Sequence, residues 1–200
     1  MNALEAALVD VAGYLEHQGI PYMVIGGFAN LHWGRPRLTE DLDLKIQAEE
    51  PAWDGVVAGL QKRYRLLAPD PPAFLRQTRV IPLETPTGVR VDLVLAELPY
   101  EEEAIRRAET LSVGGQAFRI CTAEDLVLHK IISDRSRDRD DVEGVVLSRG
   151  PSLDREYLDP RVRDMAAGLD RPDLLDFYNA CLKRAGLPEA SPRPKSPTPR

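Results

Sequence analysis

One segment constrains this chain more than any other: Tyr22-Met-Val-Ile-Gly-Gly-Phe-Ala-Asn-Leu-His-Trp-Gly-Arg-Pro-Arg-Leu-Thr-Glu-Asp-Leu-Asp-Leu-Lys-Ile46. It opens with a short apolar strand and turns at Gly26-Gly27. A helical piece over 28–33 follows, then the polar loop Gly34-Arg35-Pro36-Arg37, then a second strand over 40–46. Side chains alternate faces along a strand, so Asp41 and Asp43 project together while Leu42, Leu44 and Ile46 point the other way, into a core. Two neighbouring carboxylates repel each other, and a divalent cation is the commonest relief. The expectation is a metal site beside a phosphate-binding glycine turn.

The rest of the chain alternates helix and strand to about residue 121 and is helical afterwards. Asn2, with Glu5 three residues on, reads as the cap of a helix over 2–18. Its Leu4, Leu8, Val11, Ala12 and Leu15 share one face. Pro51 suits the first turn of a helix running to about 63, and a strand over 64–67 comes next. The proline-rich stretch 68–73 reads as loop. Strands over 79–84 and 89–95 form a hairpin through Pro86-Thr87-Gly88. In the second strand Val89, Val91, Leu93 and Leu95 share a face, and Arg90, Asp92 and Val94 share the other. A charged helix over 100–108, a hairpin about Gly114-Gly115 and a helix over 122–133 capped by Thr122 follow. Residues 134–139 read as an arginine-rich connection, and Asp138 or Arg139 starts a helix to about 147. Two more helices are predicted over 161–169 and 173–184. The expected organisation is an α/β core over 1–121, a helical part over 122–186 and a disordered tail, rich in Pro, Ser, Arg and Lys, over 187–200.

Composition narrows the function classes. A hydrophobic share of 43% is enough for a real core, and a net charge of −6 argues against indiscriminate coating of nucleic acid, though not against a local basic groove. Cys121 and Cys181 stand far apart, which fits free thiols in a reducing cytosol. His17, His32 and His129 lack zinc-ligand spacing. No apolar run approaches a membrane span, so the expectation is a soluble cytoplasmic protein with no membrane partner.

Asp92 lies mid-strand, off the most apolar face. If its strand neighbours that of Asp41 and Asp43, three carboxylates reach one or two cations. Hard oxygen ligands with open positions suit magnesium or manganese, which also bind phosphate oxygens. Gly26-Gly27 at a helix N-terminus offers backbone N–H groups to a triphosphate. Such a set serves phosphoryl or nucleotidyl transfer.

The ordered set Gly26-Gly27, Asp41-Leu-Asp43 and Asp92 in Val89-Arg-Val-Asp-Leu-Val-Leu95 resembles the nucleotidyltransferase fold shared with DNA polymerase beta and the minimal nucleotidyltransferases. More narrowly, Ile25-Gly-Gly-Phe-Ala29, Arg37-Leu-Thr39, Asp41-Leu-Asp43 and the block from Glu124 to Val142 look like the abortive-infection (AbiEii-type) and toxin–antitoxin branch. The resemblance spans roughly residues 20 to 147, by motif placement. It implies a mixed α/β (α+β) sheet with flanking helices and a helical C-terminal part. It further implies Asp41, Asp43 and Asp92 as catalytic residues and metal ligands. The nucleotide would be bound by Gly26, Gly27, Thr39 and Lys130, with Arg37, Arg135 and Arg137 as looser phosphate or acceptor contacts. Magnesium or manganese would be the cofactor and an NTP the substrate. The acceptor would be RNA, protein or a small molecule, and a cognate toxin or antitoxin a partner. One departure from the fold's pattern is Phe28, where many members carry Ser after the glycines.

Plainer readings stand beside these. Gly26-Gly27 is equally readable as a tight turn, Lys130 as the solvent-facing residue of an apolar helix, and the arginine run after Asp134 as a self-paired loop. Two function classes follow: a magnesium-dependent nucleotidyltransferase, or a catalytically weak or inactive module of the same fold that binds nucleotide or a partner.

Overall fold

The computed structural model describes residues 1–190, and the chain divides into two compact units. Unit 1 comprises Met1–His32 and Pro36–Thr122; unit 2 comprises Trp33–Arg35 and the chain from Ala123.

Unit 1 is built on a seven-stranded mixed sheet. Its strands are β1 (Tyr22–Ile25), β2 (Asp41–Ile46), β3 (Arg65–Leu66), β4 (Val80–Glu84), β5 (Arg90–Leu95), β6 (Glu109–Val113) and β7 (Gln116–Ile120), in the order β3-β4-β5-β2-β1-β7-β6. The β2–β5 and β1–β7 pairs are parallel and the rest antiparallel. The helices of this unit are α1 (Ala3–His17), α2 (Gly26–Trp33, whose last residue joins unit 2), α3 (Trp53–Gln61), α4 (Pro71–Thr78) and α5 (Pro99–Arg107). One sheet face carries Leu42, Leu44, Ile46, Val91 and Leu93, all fully buried. The core of α1 (Leu8, Val11, Ala12, Leu15) is fully buried as well, and the helix lies along β7 and β2. The capping box expected at Asn2 and Glu5 is present, each side chain bonding the other's backbone N–H at 2.9 Å.

Unit 2 contains α6 (Ala123–Ile131), α7 (Ser136–Arg149), α8 (Arg155–Gly168) and α9 (Pro172–Arg184). Residues 33–35 belong here through two contacts: Arg149 stacks over the Trp33 ring at 5.0 Å, and Gly144 leaves room for the backbone of Arg35. Among the described residues no helix is long and apolar enough to cross a membrane.

Two helices begin earlier than their prolines suggested. The stretch 68–73, expected as loop, contains the start of α4. Asp70 caps it by accepting from Ala73 N at 3.1 Å, and Pro71 and Pro72 occupy first-turn positions, where a missing N–H costs no intrahelical bond. In the same way α8 starts at Arg155, not 161, and carries Pro160 inside. The lost bond there is offset by the Asp154 cap on Tyr157 N, by Tyr157 Oη donating to Asp125 at 2.6 Å, and by the Arg155–Asp159–Tyr178 cluster. The tail expected as disordered from 187 falls, from residue 191 on, outside the described residues. Leu187–Ala190 are tied down: Leu187 N bonds Leu182 O, Arg155 bonds Pro188 O, and Ala190 N bonds Asn179 Oδ1.

Candidate active site

β1 runs straight into α2, with no residue between Ile25 and the first helical glycine. Gly26 has φ +66°, which favours glycine, and a Cβ there would collide with the Asp43 carboxylate. A Cβ on Gly27 would stand 2.5 Å from Thr39 Oγ1 and 3.6 Å from Arg37 Nη1. The tight turn and the open backbone are therefore one feature. The loop before β2 folds back so that Arg37 and Thr39 lie at the N-terminus of α2, whose first-turn N–H groups have no intrahelical partners. A guanidinium, a hydroxyl and the positive end of a helix are gathered at one point.

The sheet register supplies the carboxylates. β2 and β5 run parallel with Asp43 opposite Asp92 and Asp41 opposite Arg90. Neighbouring strands are about 4.8 Å apart, so Asp43 and Asp92 are side by side on one face, and Asp41 is two residues along. Two charges about 5 Å apart repel by roughly 3 kcal/mol at an effective dielectric near 20. Nearby donors answer that repulsion. Thr39 Oγ1 donates to Asp41 Oδ1 at 3.0 Å. Arg90 donates to Asp92 through Nε and Nη2, at 3.3, 3.3 and 3.2 Å. The Arg90 guanidinium is held further up in pKa, first by its hydrogen bond to Asp92 and also by the charges of Asp92, Asp41 and Asp43. All three carboxylates thus act on one cation.

Among the described residues no three His, Cys, Asp or Glu side chains stand close enough together to hold a metal ion. The backbone register brings the three aspartates to one place, while Thr39 and Arg90 occupy the carboxylate heads. The donor chemistry, oxygen-only and partly exposed on a buried scaffold, fits a hard divalent cation.

Arg90 was not among the expected site residues, although strand alternation had already put it on the face of Asp92. The Phe28 ring meets Phe118 edge-on at 6.0 Å and lines a groove of about 440 Å³ with Leu31, Leu111 and Val113.

The remaining expected residues lie in unit 2. Lys130 is not the solvent-facing residue of its helix: it is 6% exposed, and its ammonium bonds Asp138 at 2.8 Å and Asp141 at 2.7 Å. Direct phosphate binding by Lys130 would require it to leave two buried carboxylates. The Asp138 carboxyl is pulled below its ordinary range; burial works to raise it, and hydrogen bonds from Lys130 and Ser133 outweigh burial. Arg135 bonds Asp138 Oδ2 at 2.6 Å from an exposed position, and Arg137 is exposed in the first turn of α7.

No family model matches the sequence, and no curated protein matches it either. Solved structures do. An antigenic nucleotidyltransferase-like protein from Paracoccidioides brasiliensis matches over 89% of this chain and 93% of its own, with a TM-score of 0.53 at 18% identity. The antibiotic-resistance factor ANT(2'')-Ia matches over 85% of this chain and 98% of its own, with a TM-score of 0.53 at 14% identity. A lincosamide antibiotic adenylyltransferase bound to lincomycin matches over 72% and 98%, with a TM-score of 0.50 at 15% identity. At such identities the likeness establishes the fold. The chain has a nucleotidyltransferase-like mixed α/β fold.

Proposed function

We propose that this protein transfers a nucleoside monophosphate from an NTP to a hydroxyl, and that unit 1 carries the chemistry. The observation behind this reading is the parallel register that sets Asp43 beside Asp92, with Asp41 two residues away and the Gly26-Gly27 turn packed against Asp43. Asp41, Asp43 and Asp92 would hold magnesium or manganese, which supplies charge neutralisation at the triphosphate and activation of the acceptor hydroxyl. The N-terminal amides of α2 and the Arg37 guanidinium bind phosphate oxygens. The Thr39 hydroxyl stands over Gly27, a hydroxyl supplied from the loop where Phe28 supplies none. Asp92, nearest the acceptor, accepts its proton.

Likeness to a lincosamide antibiotic adenylyltransferase and to an antibiotic-resistance factor, with a net charge of −6, favours a small-molecule hydroxyl as acceptor over a long nucleic acid. RNA ends and protein side chains are the other arms of the test. The motif resemblance to the AbiEii-type branch extends the reading to a toxin–antitoxin or phage-defence setting with a cognate protein partner. Two buried cysteines outside any disulfide agree with a cytoplasmic site of action. The second reading, a nucleotide- or partner-binding module without turnover, draws on Phe28, which turns toward Phe118 and leaves the glycine turn without a side-chain hydroxyl of its own.

The experiment offers each labelled NTP with magnesium to total RNA, to cell protein and to polyhydroxylated small molecules. Wild type is expected to transfer label, and the Asp41→Asn/Asp43→Asn variant to lose at least ~10²-fold, the scale of a removed metal contribution. Transfer that survives the double substitution sinks the site assignment. Thermal stabilisation by NTP plus magnesium without transfer favours the binding module.

A further inference from the structure

Arg90 is the only residue of the carboxylate face of β5 that carries positive charge, and its position is unusual in three respects. It stands two residues before Asp92 on the same face and opposite Asp41 in the β2 register. Its cross-strand neighbour on β4, Glu84, is already taken by Arg65 at 2.5 Å, so the carboxylate it bonds is Asp92. And the bond is loose. The three contacts run 3.2–3.3 Å, where charge-assisted pairs usually lie at about 2.7–2.9 Å. The Arg76–Asp54 pair of the same unit closes to 2.6 Å. The Arg90 side chain is 60% exposed, whereas that of Asp92 is 24% exposed.

We propose that Arg90 is a resting counter-ion of Asp92, and that its guanidinium and a divalent cation compete for the Asp92 carboxylate. The inference rests on the metal-binding reading of Asp41, Asp43 and Asp92 given above. Its physical basis is charge balance. The register sets Asp92 beside Asp43, and the Arg90 guanidinium offsets part of the repulsion at Asp92. A cation arriving at the set takes over that task and must displace Arg90 from Asp92. The cost is small because the pair is long, solvent-facing and screened. Arg90 is the first residue of its strand and its side chain is mostly exposed. Arg90 is therefore a positioning residue: it acts through Asp92 and sets how strongly the metal-free site resists occupancy.

Removing the guanidinium while keeping the carboxylates makes the set more electronegative, so affinity should rise. That sign separates this role from a structural one, since damage to the site lowers affinity. The test measures Mn²⁺ binding to the full chain at low ionic strength, by electron paramagnetic resonance and by calorimetry, for wild type, R90Q, R90K, D92N and R90Q/D92N. R90Q is expected to bind Mn²⁺ roughly two- to five-fold more tightly, the scale of an exposed ion pair removed as a competitor. R90K, which keeps the charge but not the fork, should fall between R90Q and wild type. D92N should bind more weakly than wild type, and R90Q should bring no gain on the D92N background, because the competition runs through that carboxylate. Equal or weaker binding by R90Q, with wild type binding and D92N impaired, overturns the counter-ion role and leaves the metal site standing. A gain from R90Q that persists in R90Q/D92N also overturns it, since the effect would then be general electrostatics. Absence of Mn²⁺ binding by wild type and R90Q alike overturns the metal site and the inference together.

Discussion

Two clusters in this molecule set aspartates against basic side chains, and they do so in opposite ways. In unit 2, Lys130 lies between Asp138 and Asp141 at 2.8 and 2.7 Å, and all three side chains are at most 8% exposed. In unit 1, Arg90 reaches Asp92 at 3.2 Å across a surface where the guanidinium is mostly in water, with Asp41 and Asp43 alongside. The first cluster is saturated: Ser133 and Arg135 complete the coordination of Asp138. The second keeps carboxylate oxygens accessible on a buried strand scaffold. A closed cluster locks helix to helix; an open one, mostly in water, is positioned to exchange its cation. The contrast recurs within β2 itself. Asp43 and Lys45 share a face two residues apart, yet Lys45 is buried on Glu101, which also caps the start of α5 by accepting from Glu97 N and Leu98 N.

The largest effect that would break the comparison is at Lys130. K130M leaves Asp138 and Asp141 buried without their cation, and a broken buried pair costs about 3–5 kcal/mol. Urea unfolding and hydrogen exchange across α6 and α7 should register that loss, and D138N/D141N in the K130M background should restore part of it. A K130M protein as stable as wild type, but defective in NTP binding, would mean that Lys130 is a ligand residue after all and that the two clusters are not of different kinds.

The next effect sharpens the comparison through pH. Asp138 and Glu101 both have carboxyl groups pulled below their ordinary values of 3.8 and 4.5: burial opposes the shift, while hydrogen bonds from Lys130 to Asp138 and from Lys45 to Glu101 outweigh it. A carboxyl whose folded pKa is depressed contributes stability that is complete above the unfolded value and is lost as pH falls through the folded one. The unfolding free energy should hold steady from about pH 8 to pH 5 and fall below about pH 4. D138N should flatten part of that acid limb. An acid limb that D138N leaves unchanged would mean that the closed cluster adds nothing to stability.

How much of this could be read in the sequence follows from the range of each interaction. The β1–glycine–α2–β2 segment, the Asn2–Glu5 cap and the strand alternation around Asp41, Asp43 and Asp92 are local, and all were readable from neighbouring residues. That Asp43 faces Asp92 is a matter of register between strands some fifty positions apart, and only the mid-strand place of Asp92 hinted at it. The Lys45–Glu101 pair spans 56 positions, and a lysine inside an apolar strand was its only local sign. Pro72 and Pro160 misled because proline reads as a breaker unless the cap before it is recognised. Lys130 misled for the converse reason. One lysine among Leu126, Val127, Leu128 and Ile131 reads as the exposed side of a helix, and its burial depends on carboxylates contributed by the following helix.

The smallest expected effect has the opposite sign to the first. D43N removes one of two register-paired carboxylates while keeping the side chain's shape against Gly26. It relieves like-charge repulsion between Asp43 and Asp92, set against the interactions that Asp43 makes with its own neighbours. Because the group is half-buried and screened, the gain should be modest, about 0.5–1 kcal/mol. Urea unfolding at low salt should show it, and it should shrink as salt is raised. Loss of nucleotidyl transfer together with a gain in stability is the pattern of a residue kept for its chemistry at the expense of the fold. A D43N protein destabilised as much as K130M would instead make Asp43 a packing residue of the glycine turn, and the open cluster would lose its claim to be a site.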